Sequence, residues 1–187
     1  MSDPASRVFS ILLVVGAALL TASIVFLSTR PVMGQVLSPG LSTLLFLASI
    51  ALLISLPSMY ARQSTASGTL GLVGFVLLQA GMVFLAAYAA VPLLFPSLNA
   101  APGESPLAFI LGIALFVGLL LTGIAVMQAG VFPKGAGILI LVATAGFFFS
   151  FFIAEFLPAI TGQISSGLFS VALGAAFAWI GVFLWAR

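Results

Sequence analysis

From Val8 to Ser28 the chain carries no charged side chain, and stretches of similar length recur at 39–59, 69–90, 106–128 and 164–185. A sixth stretch, 135–157, is interrupted only by Glu155 near its end. At ~1.5 Å of rise per residue, a helix of roughly twenty residues spans the ~30 Å hydrocarbon core of a bilayer. A segment in lipid has no water to satisfy its peptide groups, so an apolar run of this length closes its hydrogen bonds internally, as a helix. The fold expected is all-α: a polytopic membrane bundle of six transmembrane helices, one transmembrane domain over 1–187.

The supply of charge points the same way. Only 4% of the 187 residues are charged and 63% are hydrophobic, whereas a water-soluble domain uses about 25% charged residues to solvate its surface. Lipid must therefore solvate most of this surface, which makes the bilayer the first expected partner. The net charge of +2 is spread along the chain without a basic run, so no nucleic-acid partner is expected. Cysteine and histidine are both absent. That removes disulfides, thiolate and imidazole metal sites, the usual haem ligand and the commonest general base. No metal and no cofactor are expected.

Arg7 before the first apolar run resembles the start of a signal peptide, but the run is too long and no A-x-A site follows it. It is read as a retained first helix. Arg30-Pro31 ends it. Ser38-Pro39 and Ser105-Pro106 are helix starts, with a capping side chain followed by proline at the first helical position, where the missing N–H costs nothing. Tyr60 to Gly68 is polar and is expected to be a loop; 91–104, with three prolines, is the longest connection; Pro158 stops the fifth helix. With both termini cytoplasmic, Arg7, Arg62, Lys134 and Arg187 lie inside and Arg30 outside, as the excess of basic residues on cytoplasmic loops requires. A three-plus-three internal repeat finds only one anchor, Val15-Gly16 against Val117-Gly118, and is not adopted.

Few residues could carry chemistry. Glu155 lies among six phenylalanines packed between 147 and 156, and on a helix its face continues through Phe152, Phe151, Phe148 and Thr144. That face reads either as an ion, proton or headgroup site at the mouth of an aromatic groove, or as a carboxylate reaching water beside Arg30. The same phenylalanines would suit a flat guest such as a quinone, carotenoid or lipid tail, or would simply fill space. Gln79 lies at the centre of the third helix with an apolar turn on each side. An amide there either glues helices together or lines a polar pathway, and glue is the simpler reading. Gly167, Gly174 and Gly181 recur every seven residues, with Ala178 completing a small pair, so they form a stripe for close helix approach.

Nucleophile sets, metal-binding helices, phosphate loops and a carboxylate pair are all missing. No helix carries a row of arginines, so voltage sensing is excluded. An enzyme is not expected. The turn Gly130-Val131-Phe132-Pro133-Lys134-Gly135-Ala136-Gly137 resembles one found in small, uncharacterised bacterial multi-pass proteins. That resemblance implies a bacterial inner-membrane location with Lys134 cytoplasmic, and transfers no activity. The function expected is a non-catalytic accessory or structural subunit of a larger membrane complex, with other membrane subunits as partners. The rival is a small transporter or a lipophilic-ligand carrier using Gln79, Glu155 and the phenylalanine face.

Overall fold

The computed structural model describes residues 4–28, 38–95, 106–150 and 159–186. They form five helices: α1 (Pro4–Ser28), α2 (Pro39–Leu94), α3 (Pro106–Ala129), α4 (Lys134–Phe148) and α5 (Ala159–Trp185). The protein is all-helical over these residues, and four of the helices, all but α4, are long and apolar enough to cross a membrane. Six such helices were expected, and two observations account for the difference. The helix expected over 135–157 is described to Phe148, and the next residues to Ser150 are wound in a wider turn; 151–158 lie outside the described residues. The polar segment Tyr60–Gly68 is not a loop. Helix runs through it from both sides, interrupted only at Gly68, so the second and third expected helices form the single element α2.

That element is bent back on itself. A straight helix would hold residues 53 and 79 ~39 Å apart, yet the Gln79 side chain reaches the Leu53 carbonyl at 3.3 Å. The rings of Tyr60 and Phe75 stack with centroids 4.6 Å apart. The reversal is made at Gly68, whose backbone has φ +56 and ψ −150, a region that side-chain-bearing residues avoid. α2 is therefore a hairpin of two antiparallel limbs, 39–67 and 69–94. Arg62, Gln63, Ser64 and Thr65 are compatible with a helix; only the glycine turns the chain.

The elements close into a ring: α1 packs on α2 and α5, α2 on α3, α3 on α4, and α4 on α5. The limb 39–67 meets α1, where Gly16 sits against Ala51 and Leu52; the limb 69–94 meets α3, where Gly74 faces Leu121 and Gly118 faces Leu78. Leu13, Leu52, Leu56, Leu78, Leu119, Ile140, Leu173 and Phe177 are buried where these elements meet.

The contacts also fix direction. α1 and α5 run antiparallel, since Arg7 lies over Trp185, Ser10 bonds Gly181 and Thr21 bonds Ser170. α4 and α5 are antiparallel, with Phe132 against Phe183 and Phe147 against Phe169. α3 is antiparallel to α4, through Gly137 on Met127 and Gly123 on Leu141. It is also antiparallel to the limb 69–94, through Gly81 on Leu115 and Gly74 on Leu121. The start of α1, the end of α5, the turn between α3 and α4 and the tip at Gly68 consequently share one end of the bundle. Arg7, Arg62 and Lys134, the only charged side chains among the described residues, all lie exposed at that end.

Hydroxyls lock the α1–α5 seam. Ser10 donates to the Gly181 carbonyl, and Thr21 donates both to Ala17 in its own helix and to Ser170 across the seam. Thr21→Val keeps the shape and removes the donor. It should lower stability in mild detergent by about 0.6 kcal/mol, the usual worth of such a bond between membrane helices. An unchanged thermal midpoint would show that packing alone holds the seam.

Candidate functional site

The most informative polar group is Gln79, half-buried on the limb 69–94. Its Nε2 donates to the carbonyl of Leu53 on the other limb at 3.3 Å. That carbonyl needs an outside donor for a local reason. In an α-helix the C=O of residue 53 accepts from the N–H of residue 57, and residue 57 is proline, which has no N–H. Pro57 thus orphans a carbonyl inside an apolar bundle, and the amide of Gln79 satisfies it, as side chains do for proline-broken ladders in membrane helices. The Oε1 of Gln79 is buried without a hydrogen-bond partner among the described residues.

This pairing predicts non-additivity. Gln79→Leu alone leaves a buried carbonyl unsatisfied and should cost about 1–3 kcal/mol. With Pro57 already replaced by alanine, position 57 supplies its own N–H to Leu53, and the same Gln79 substitution should cost almost nothing. A thermal-stability double-mutant cycle in detergent reads the coupling directly. Equal costs in the two backgrounds would refute it.

Most other interior hydroxyls are bound to their own helix: Ser23 to Leu19, Ser49 to Leu45 and Thr144 to Ile140. Such back-bonding to the preceding turn satisfies a hydroxyl in an apolar surround without a second helix. Of the groups that a polar pathway past Gln79 would recruit, Thr21, Ser49 and Thr144 are therefore engaged with backbone carbonyls. Thr122 is not. Its Oγ1 is buried without a partner among the described residues, as are Ser42 Oγ, Gln63 Oε1 and Ser67 Oγ. Gln63 and Ser67 lie one turn apart near the tip of α2. Ser67 packs on Gly71, which faces Ala125, and Thr122 is beside Gly74. Ser67 and Thr122 put buried oxygens into the charged-end half of the α2–α3 contact.

The aromatic face is only partly in view. Phe148 is half out of the protein surface and packs on Phe116 with centroids 5.3 Å apart. Phe151, Phe152 and Glu155 lie outside the described residues. On α5, Gly174 packs on Thr21 and Gly181 on Val14 and Ser10, so the partner of these two glycines is α1 of the same chain. Among the described residues Gly167 has nothing within 4 Å of where a Cβ would stand, and Ala178 is half-buried. Among the described residues no group of three potential metal ligands occurs.

Sequence reasoning missed the Leu53–Gln79 pairing, although half its signal was readable: a proline inside an apolar helix frees the carbonyl four residues earlier. It also missed Ser10 and Gln63, whose inward direction is set by which face of α1 and α2 meets a neighbour. Compared with protein families, with curated proteins and with solved structures, the chain matches none.

Proposed function

We propose that the chain is a non-catalytic integral membrane protein that packs into, or stabilises, a larger membrane assembly. The observation that carries this reading is the engagement of Gln79. The polar side chain at the middle of its helix repairs a proline-broken ladder, so it serves helix packing rather than a substrate. A continuous outward apolar surface, including Leu72, Val73, Val76 and Val83 on one limb of α2, is available to lipid and to partner helices.

In this reading the chain crosses a bacterial inner membrane six times, the two limbs of α2 each making one crossing and α4 lying in another. Both termini are cytoplasmic. The gathering of Arg7, Arg62 and Lys134 at one end of the bundle supports that orientation, because basic residues favour the cytoplasmic side. A second reading, a small transporter or lipophilic-ligand carrier, draws support from the unpartnered oxygens of Gln63, Ser67 and Thr122. Purification from native membranes in a very mild detergent, followed by mass spectrometry, separates the two. Stoichiometric partner subunits are expected. A lone monomer or dimer carrying only bulk lipid would overturn the accessory reading and favour transport.

A further inference from the structure

Beneath the tip of the α2 hairpin, within about two helical turns of Gly68, lie Gln63 Oε1, Ser67 Oγ and Thr122 Oγ1, buried and without a hydrogen-bond partner among the described residues. Gln63, Ser67 and Thr122 are 1%, 7% and 2% exposed. Gln63 and Ser67 stand one turn apart on the buried stripe of limb 39–67 that also carries Leu56 and Met59. The Ser67 hydroxyl is turned onto the place that a Cβ of Gly71 would occupy, and Ala125 of α3 stands 3.6 Å from the same point. One turn farther from the tip, a Cβ at Gly74 would stand 2.9 Å from the backbone nitrogen of Thr122. Ser23, Ser49 and Thr144 turn back onto their own helices. Ser67 instead directs its oxygen toward α3, and the glycine at 71 leaves the room for it.

We propose that these oxygens form a binding site for internal water, in which one molecule bridges Ser67 to Thr122 of α3 and donates to Gln63 Oε1. The site stands under either reading of the function. An unpaired buried oxygen costs more than the immobilisation of a water, and buried waters collect where about three otherwise unsatisfied polar groups meet. The chemistry of the oxygens selects the occupant. An amide oxygen only accepts, so it needs a donor, and an inorganic anion has none to give. Three neutral oxygens do not offset the desolvation of a metal cation. Water donates to the amide oxygen, and it both donates to and accepts from a hydroxyl. The supply is close by, because Ala66, Gly68 and Thr69 are exposed at the charged end. On the far side the contact is closed, since a Cβ at Gly118 would stand 2.5 Å from the backbone nitrogen of Leu78. The bridging water therefore ties the tip of the hairpin to α3.

Brief X-ray radiolysis of the full chain in mild detergent tests the site, because radicals born from bound water oxidise the buried side chains beside it. Met59 is the native reporter: it is 1% exposed and lies one turn before Gln63 on the same stripe. Met59 sulfoxide should form in the native chain, and its yield should fall several-fold in Ser67→Ala and in Thr122→Val. Thr122→Ser, which keeps the hydroxyl, should retain it. In thermal denaturation Ser67→Ala and Thr122→Val should each lower the midpoint, and the double substitution no further than the larger single one, since either loss releases the shared water. Additive shifts overturn the bridge, each hydroxyl then turning back onto its own helix. An unlabelled Met59 overturns it as well, and would assign any coupling to a direct Ser67–Thr122 bond. Labelling that survives both substitutions places the water elsewhere and also overturns the bridge.

Discussion

Replacing Gly118 with alanine should lower the thermal midpoint of the protein in mild detergent by roughly 2–12 °C. Elsewhere in a helix that change is favourable by ~0.5–1 kcal/mol, because alanine loses less backbone entropy. Here the new Cβ would stand 2.5 Å from the backbone nitrogen of Leu78 and 2.9 Å from the carbonyl carbon of Leu77. Both are main-chain atoms, so no side chain can rotate away, and α3 must separate from the limb 69–94. Overpacking of this kind costs about 1–3 kcal/mol, and each kcal/mol moves the midpoint of a chain of this size by about 2–4 °C. Gly167→Ala is the matched control, since none of the described residues lies within 4 Å of its Cβ position; its midpoint should stay level or rise. Equal effects at the two positions would mean that the α2–α3 crossing is looser than described.

Gly68→Val should have the largest effect on topology. The glycine has φ +56 and ψ −150, with nothing within 4 Å of its Cβ position. The penalty there is purely backbone strain, at least ~1–3 kcal/mol for a non-glycine residue and worse for a β-branched one. If the tip opens, the strain is relieved, but a continuous helix of 56 residues would be ~84 Å long, far beyond a ~30 Å bilayer core. The substituted chain is caught between strain and misinsertion. Because the protein has no cysteine, Tyr60→Cys with Phe75→Cys reports the hairpin through a short bifunctional maleimide and peptide mass spectrometry. The cross-link should form with glycine at 68 and largely vanish with valine. An undiminished cross-link would show that the limbs, not the tip, specify the fold-back.

These two glycines show where reading the chain in one dimension stops. Gly68 follows a run of polar residues, and polarity alone reads as a loop. In a helical hairpin a single residue of unusual backbone can make the turn, and the polar side chains then mark a helix end near water. Gln63 and Ser67, buried on that stretch, could not have been placed without knowing which faces of the hairpin meet a neighbour. Gly118 sat in an apolar run like any other glycine, and its importance comes from the Leu77–Leu78 backbone lying against it. The stripe on α5 was legible as a packing surface from its seven-residue period, but its division into Gly174 and Gly181 against α1 and Gly167 in the open depends on where the seam ends.

The order of residues alone sets the chemistry of the solvent and of the local backbone. Runs free of charge force helices, Ser-Pro pairs start them, and a dearth of acids and bases hands the surface to lipid. Those effects act within one or two turns, so the order of residues suffices. Which helix answers which is settled in the folded bundle. The carbonyl freed at Leu53 by Pro57 and the amide of Gln79 are 26 residues apart in the chain, and Arg7 and Trp185 meet from opposite ends of it. Lipid gives no hydrophobic drive to bring such groups together. Their meeting follows from close backbone approach at a few glycines and from the cost of leaving a polar group unpaired in an apolar bundle, and both are properties of the assembled ring.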